Sequence, residues 1–192
     1  MGLGQTMITM LFFALLMVMF LNAIRSINTA DSDLLTAEAT KTAENLARSL
    51  MAEIQTKKFD KNADPSARQS SNSTSSFAQP WNLGPNYYSQ PLEGFALPDT
   101  STPFKSIQLY DDVDDYNGYT RLESAGGMTG FKDSVSVYYV DATQSPPRIS
   151  TSSVTWYKQI EVWVTQSQYL RTGSNAPLWL KYSMFVTYMK KG

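Results

Sequence analysis

No cysteine and no histidine occur anywhere in this chain of 192 residues. Their absence excludes disulfide bridges, thiolate nucleophiles, imidazole general bases and the Cys/His class of zinc site. Ser-His-Asp and Cys-His catalysis are therefore ruled out by composition, which leaves an enzyme only carboxylate, lysine, tyrosine or metal–oxygen chemistry. We expect a protein that is not an enzyme. The missing cysteine does not fix the compartment, because many exported proteins fold without bridges.

An excess of charge of either sign is also lacking, since the formal net charge is −1. A nearly neutral chain carries no electrostatic footprint of a nucleic-acid partner, and we expect none. The length is sufficient for one domain with its own core, because roughly 135 residues follow the N-terminal helix described next.

Proline is missing from Gln5 to Lys58, and glycine is missing from the same stretch after Gly4. Within it, Met7 to Ile24 carry no charge. A helix needs ~20 predominantly apolar residues to cross the ~30 Å hydrocarbon layer of a membrane, and residues 5–24 just reach that length. No basic residue precedes this segment and no A-x-A-like cleavage site follows it, so we expect a retained transmembrane or filament-core helix rather than a signal peptide.

Residues 25–60 continue the helix with a different pattern. Their apolar positions recur in steps of three and four, which is the period of one helical face. The simplest prediction is one rod of ~50 residues, about 80 Å long, whose second half buries a single stripe against a globular head. The patch 28–33 (NTADSD) is the weakest helical segment and the best candidate for a bend. The recurring apolar positions are Ile27, Leu34, Leu35, Ala39, Ala43, Leu46, Ala47, Leu50 and Ile54. Of these, Leu46, Leu50 and Ile54 are expected to pack against the sheet.

Residues 61–192 are predicted to form a β-rich globular head. Three segments alternate with period two and are rich in valine, isoleucine, threonine and aromatic residues, as half-buried strands are. Two shorter segments complete an antiparallel meander of four or five strands. The predicted fold class is therefore α+β, with a long N-terminal helix packed by its second half on a C-terminal antiparallel sheet. The predicted strands are 104–110, 119–123, 134–140, 153–166 and 178–190.

An acidic loop is the most distinctive motif of the head. Four aspartates and an asparagine lie between Asp111 and Asn117, and such oxygen ligands suit a hard cation such as Ca²⁺. The EF-hand template fails because Val113 would occupy its first ligand position. The alternative is a turn without a cofactor, in which the side chains accept hydrogen bonds from local backbone N–H groups. The candidate Ca²⁺ ligands are Asp112, Asp114, Asp115 and Asn117.

The outer face of the predicted sheet carries large side chains beside polar ones. Three interpretations stay open for them: ordinary cross-strand packing, a contact with another subunit, or a platform for carbohydrate. The residues are Trp163, Trp179, Phe185 and Met189. Separately, Asn72-Ser73-Thr74 matches a glycosylation sequon within a Ser/Asn-rich linker.

The first residues resemble a known processing site. The run Gly4-Gln5-Thr6-Met7-Ile8-Thr9-Met10 is similar to the prepilin-peptidase junction of type IV pilins and pseudopilins, where a glycine precedes a methylated residue, Thr-Leu-Ile-Glu-Leu and an apolar helix. The resemblance implies a leader of residues 1–4, cleavage after Gly4, and Gln5 as the methylated N-terminus. An alternative register takes Met1 as the mature terminus, with Gln5 in the place of the glutamate. The implied assembly helix includes Thr9, which stands where the family has that glutamate, and Met10, Phe12, Phe13, Leu16, Phe20 and Asn22.

The same resemblance implies a function. The expected protein is a structural subunit of a type IV pilus-like extracellular filament, bound through its N-terminal helix to copies of itself or to other pilins. It would lie in the inner (cytoplasmic) membrane before assembly and on the cell surface afterwards. Two alternatives remain: a membrane-tethered binding module that recognises a partner or a glycan without assembling, and a minor pseudopilin of a secretion system.

Overall fold

The computed structural model describes residues 2–61, 74, 77–84 and 98–188. The sequon at Asn72 and the predicted surface residue Met189 lie outside the described residues.

One helix, α1 (Leu3–Gln55), forms the N-terminal part of the chain and is about 80 Å long. It continues through residues 28–33, so the patch with the weakest helical signal does not interrupt it. At its C-terminal end, the N–H and the hydroxyl of Thr56 both donate to the carbonyl of Glu53, at 3.1 and 2.7 Å. The predicted rod is confirmed, although it ends at Gln55 rather than at residue 60.

Five antiparallel strands follow and form one sheet. The order across the sheet is β1-β2-β4-β5, and β3 pairs with the end of β2. Tyr139 of β2 pairs with Lys158 of β4 on one side and with Ser150 of β3 on the other, so β3 lies along the same edge of β2 as β1. The predicted meander is confirmed. The strands are β1 (Thr120–Ala125), β2 (Met128–Asp141), β3 (Arg148–Ser150), β4 (Tyr157–Gln166) and β5 (Leu180–Thr187).

The strand predicted at 104–110 is wrong, because this segment contains a short helix, α2 (Lys105–Leu109). The ammonium of Lys57, just after α1, donates to the carbonyls of Ser106 (3.4 Å), Ile107 (3.1 Å) and Tyr110 (2.8 Å). A cation that satisfies these carbonyls stabilises the C-terminal end of a helix too short to be stable by itself. A distant residue thus decides the local structure.

The main core lies between the second half of α1 and one face of the sheet. Ala39, Ala43 and Ala47 are fully buried and lie four residues apart, so the helix backbone approaches the strands closely. Leu50 and Ile54 fill the space nearer the end of α1, as predicted. Ile27, Leu34 and Leu35 were predicted to belong to the same stripe but are exposed, because the head covers α1 only from residue 36 onward. The facing residues of the sheet are Phe131, Val135, Val137, Ile160, Val162 and Val164.

A second, smaller cluster holds the chain where it leaves α1. The ring of Phe77 lies 5.4 Å from that of Phe59, 5.4 Å from that of Trp156 and 5.3 Å from that of Tyr188. Tyr139 of β2 is fully buried in the same cluster. These aromatic contacts attach the residues after the rod to the sheet. Backbone hydrogen bonds of Lys58 with Asp111 and Val113 place the acidic loop beside them.

Candidate functional site

The first candidate site is the surface of α1 that the head does not cover. Every described residue from Gly2 to Leu35 is exposed, and the apolar window within α1 is 0% buried. This is one helix long and apolar enough to span a membrane. Gly4 and Gln5, the predicted processing junction, lie in its first turns. The predicted assembly residues are among its exposed side chains: Met10, Phe12, Phe13, Leu16 and Phe20.

Polar side chains at the start of α1 bond within their own helix. The hydroxyl of Thr6 donates to the carbonyl of Leu3 at 2.8 Å, and that of Thr9 donates to the carbonyls of Thr6 (2.9 Å) and Gln5 (3.1 Å). Thr9 is thereby held against its own backbone and presents no charge. Asn22 lies at the other end of the apolar segment and is exposed.

The acidic loop has the geometry of a turn closed by its own carboxylates. Asp112 Oδ1 accepts from the N–H groups of Asp114 (2.8 Å) and Asp115 (3.1 Å). Asp115 Oδ2 accepts in return from the N–H groups of Asp111 (2.9 Å) and Asp112 (3.4 Å). The interpretation of this loop as a side-chain-bonded turn is confirmed, since the carboxylates satisfy backbone donors that would otherwise be buried without partners.

Asn117 completes the turn from the other end. Its amide donates to the carbonyl of Leu83 at 2.9 Å, and its carbonyl accepts from the N–H of Val137 at 3.0 Å. Gly118 follows with φ of +82°, a conformation that favours glycine, and β1 then begins at Thr120. The Asn-Gly pair thus turns the chain into the sheet.

Asp114 points away from the turn and into the head. Its Oδ1 lies 2.6 Å from the ammonium of Lys158, which also lies 3.6 Å from Asp60 Oδ2 and donates to the carbonyl of Phe59 at 2.7 Å. Lys158 is 0% exposed and lies over the rings of Phe59 and Tyr139, at 4.2 and 4.9 Å. This Lys158 cluster joins the end of the rod, the acidic loop and β4.

The four predicted cation ligands therefore do not converge on one point. Asp112 and Asp115 lie together and, with Asp111, bring carboxylate oxygens within 4.8 Å of one another. Asp114 is directed to Lys158, and Asn117 is held between Leu83 and β2. Within this group, the carboxylates of Asp112 and Asp115 already accept backbone hydrogen bonds. Ca²⁺ binding stays a prediction.

Burial raises the pKa of two carboxyl groups in the acidic loop. It raises the pKa of Asp112 to about 6, and the neighbouring charge of Asp115 adds to the shift, although a backbone N–H bond and Lys158 oppose it. Burial also raises the pKa of Asp114 above its usual range, against the attraction of Lys158.

A second buried ionic cluster surrounds Arg121 of β1. Its guanidinium lies 3.0 Å from Asp133, 2.9 Å from Glu123 and 3.3 Å from Glu53 of α1. The ring of Phe104 lies 4.7 Å below the guanidinium carbon. Burial raises the pKa of Asp133, and its hydrogen bond with Glu123 adds to the effect. This cluster joins α1 to the first hairpin.

Sequence reasoning missed both cations, yet a signal for them exists. Lys158 shares its strand face with Ile160, Val162 and Val164, so the alternation places a lysine on the core side. Arg121 pairs with Asp133, which has the same parity as the core residue Val135. A charged residue in the apolar phase of a strand indicates a buried ion pair, because such a group is rarely buried alone.

The outer face of the sheet is partly covered by its own side chains. Lys181 pairs with Glu161 and lies 5.2 Å from the ring centroid of Trp163. Trp179 is 39% exposed and Phe185 is 59% exposed. Cross-strand packing thus accounts for Trp163, and the other two aromatic residues present open surface.

No protein-family model, no curated protein and no solved structure matches this chain. What the structure establishes is a layout: a long apolar N-terminal helix and a C-terminal antiparallel sheet, arranged as in pilins. No family evidence identifies the chain as a pilin.

We expect Asp112→Asn to change how stability depends on pH. A carboxyl group whose pKa is higher when folded stabilises the protein below its unfolded pKa, and this contribution is lost as pH rises through the folded pKa. For Asp112 the window runs from about pH 4 to about pH 6. Across this pH window, the free energy of unfolding of the unmodified chain, relative to that of Asp112→Asn, should fall by an amount on the order of 3 kcal/mol. Urea titrations at several pH values, followed by tryptophan fluorescence in nonionic detergent, measure this; parallel pH profiles would contradict it.

Lys158→Met should destabilise the head strongly. The substitution keeps most of the apolar stem but leaves Asp114 and Asp60 buried without their cation, a change that costs about 3–5 kcal/mol. Lys181→Met is the matched control, because Lys181 pairs with Glu161 on the neighbouring strand but is 44% exposed, and its loss should cost less than about 1 kcal/mol. Urea midpoints compare the two variants; equal midpoints would show that the Lys158 cluster does not hold the rod to the sheet.

Proposed function

We propose that this protein is a structural, non-enzymatic subunit of a type IV pilus-like extracellular filament, assembled through the apolar half of α1. The observation that carries the proposal is the complete exposure of that half-helix: the chain folds a head around residues 36–55 of α1 and leaves the apolar residues before them uncovered.

An apolar helix of this length needs apolar surroundings. In the membrane, lipid provides them before assembly, and in the filament the neighbouring helices do. Lipid tails are as apolar as leucine, so little hydrophobic free energy changes when one environment replaces the other. Side-chain packing between helices therefore decides association, and large residues such as Phe13, Leu16 and Phe20 provide the contacts. The proposed localisation follows: cytoplasmic membrane first, filament on the cell surface afterwards.

The predicted junction at Gly4 and Gln5 adds a processing step to the proposal. Removal of residues 1–4 would expose the amino group of Gln5 at the start of the apolar helix. Thr9 cannot neutralise that charge, because it presents only a hydroxyl that bonds its own backbone. A subunit with this feature suits a minor position in a mixed filament as well as a bulk one.

Intact-mass measurement of the protein from its native cells tests this step. The expected mass lacks Met1 to Gly4 and includes one added methyl group. A mass that includes these four residues would contradict cleavage after Gly4. It would favour the alternative register, in which Met1 is the mature N-terminus.

The assembly role is tested by shortening and by charging the helix. A variant without Met7–Ile24 should give a soluble, monomeric head whose near-ultraviolet circular dichroism equals that of the full chain. Leu16→Arg should block assembly, because it places a charge at the centre of the apolar segment. A charge at such a position costs about 2.5–3.5 kcal/mol in a membrane. Asn28→Arg is the control, since it adds the same charge to the exposed polar part of α1.

Negative-stain microscopy after removal of detergent provides the readout. Filaments are expected for the full chain and for Asn28→Arg, and none for Leu16→Arg or the shortened head. Filaments from the shortened head would contradict the assembly role of the apolar segment.

The second candidate, a membrane-tethered binding module, is favoured by the open aromatic surface at Trp179 and Phe185. This candidate function predicts a protein that stays monomeric in detergent and never forms filaments. After reconstitution, the protein should float together with lipid vesicles in a density gradient. A minor pseudopilin would instead form filaments only together with another subunit.

A further inference from the structure

The first half of α1 contains no group that could neutralise a positive charge at its start. The first turn holds no acidic residue, and the first carboxylate of the sequence is that of Asp31. Asp31 lies about 39 Å along the helix axis from Gln5. The hydroxyls of Thr6 and Thr9 lie nearer, but both donate to backbone carbonyls of the same helix. A cation at Gln5 would therefore have no counter-charge within the first half of α1.

Cleavage after Gly4, as proposed above, creates such a cation. A free α-amino group has an ordinary pKa of about 8, so it is largely protonated at neutral pH. This ammonium would lie at the N-terminus of α1, where the helix dipole is also positive. The side chains that follow are apolar, and a charge that is moved from water into apolar surroundings is costly. The free terminus thus destabilises any state that removes it from water.

Gln5 carries the chemical group that can remove this charge. Within residues 1–24, only Gln5 and Asn22 have an amide side chain, and only Gln5 directly follows the predicted cleavage site. The amide carbon of glutamine, Cδ, is separated from its own α-nitrogen by Cα, Cβ and Cγ. A bond between the α-nitrogen and Cδ therefore closes an unstrained five-membered ring.

This ring closure needs no other reactant. The unprotonated α-nitrogen attacks Cδ, the bond between them forms, and the bond between Cδ and Nε2 breaks. Nε2 leaves as ammonia, together with the proton that the α-nitrogen loses. No atom is oxidised or reduced. The product is a neutral lactam, pyroglutamate, in place of an amine and an amide, so the terminal charge is removed.

The lactam ring fits the first position of a helix. It contains the same five atoms as the ring of proline, which is favoured at this position. The N–H groups of the first turn have no acceptor within the helix, so the ring breaks no hydrogen bond of the mature α1. The N–H of Gln5 does donate to the carbonyl of Gly2 at 2.9 Å in the uncleaved chain, but cleavage removes that acceptor. The side chain of Gln5 is exposed, so no packing has to be broken for the ring to close.

We propose that the mature N-terminus of this protein is a pyroglutamate formed from Gln5, which makes the start of the apolar helix neutral without an acidic partner. This inference rests on the proposed function for the cleavage after Gly4. The ring closes on a methylated or an unmethylated amine alike, so it is independent of the added methyl group. It also gives a physical reason why α1 can have threonine rather than a carboxylate at position 9.

Mass spectrometry of the N-terminal peptide tests the ring directly. Trypsin applied to freshly isolated native protein should release residues 5–25, because Arg25 is the first basic residue of the sequence. The expected mass of this peptide is lower by one molecule of ammonia than that of its sequence, with or without a methyl group, and the fragment ions should place the loss on Gln5.

A second sample, aged in the same buffer before digestion, controls for ring closure after isolation. A peptide that has a free amine when fresh, and loses ammonia only with age, overturns the proposal.

Variants produced in the native cells test what the ring does. Gln5→Asn keeps an amide but is one methylene too short to close this ring, so its amine stays charged and its filament yield should fall several-fold. Thr9→Glu alone adds an unpaired carboxylate next to a neutral terminus and should also lower the yield. The two changes together supply an ammonium and a carboxylate one turn apart and should restore it.

Negative-stain microscopy and sedimentation measure the filament yield, and intact mass checks that residues 1–4 are absent from each variant. A full yield from Gln5→Asn, or a double variant that is no better than either single one, overturns the role assigned to the ring.

These outcomes separate the ring from the proposed function. A free amine on Gln5 in a protein that forms filaments overturns the ring and leaves the filament. A tryptic peptide that begins at Met1 overturns both the cleavage and the ring, and microscopy of the same protein then decides about the filament. A ring on a protein that never forms filaments supports the inference and argues against the filament.

Discussion

The architecture depends on one continuous helix that has two different surroundings. Residues 36–55 of α1 pack on the sheet through a stripe of alanine, leucine and isoleucine, whereas the apolar residues before them have no cover from the described part of the chain. An exposed apolar surface of this size is unfavourable in water and requires lipid or protein around it. Since the helix is unbroken, the head cannot fold back over the apolar half without breaking the backbone hydrogen bonds of α1.

Two buried ionic clusters fix the head to the end of this helix. Lys158 joins the residues after α1 to the acidic loop, and Arg121 joins Glu53 to the first hairpin. Glu53 Oε1 also accepts from the hydroxyls of Tyr116 and Ser106, each at 2.7 Å. Buried ion pairs contribute little net stability compared with apolar packing, but breaking them is costly. Their effect here is geometric: they set one orientation of the head on the rod.

Sequence periodicity predicted the helix and the sheet because both depend on patterns that repeat over many residues. The alternation in β4 and the stripe from Ala39 to Ile54 are each long enough to be unambiguous. Sequence periodicity failed to predict α2, because the segment is short and its helix is stabilised by hydrogen bonds from Lys57, in another part of the chain. It also gave no sign of β3, which has only three residues.

The candidate site was predicted unevenly for the same reason. The exposure of Phe13 and Phe20 could be predicted from composition. The apolar segment has no polar face, so its sequence does not indicate one side that would pack against the head. The directions of Asp114 and Asn117 do not follow, because Lys158, Leu83 and Val137 determine them, and these residues are distant in sequence. A turn motif fixes which backbone groups need partners, but it does not fix which of its side chains will provide them.

The position of the head on α1 links the fold to the proposed assembly. A helix that was buried along its whole length within its own chain would have no surface left for a neighbour. In this chain residues 36–55 of α1 carry the head, whereas the residues from Gly2 to Leu35 are exposed. Copies that pack through the exposed residues would therefore not compete with the sheet for the buried stripe. The chain thus separates the residues that stabilise one molecule from those that would join it to the next.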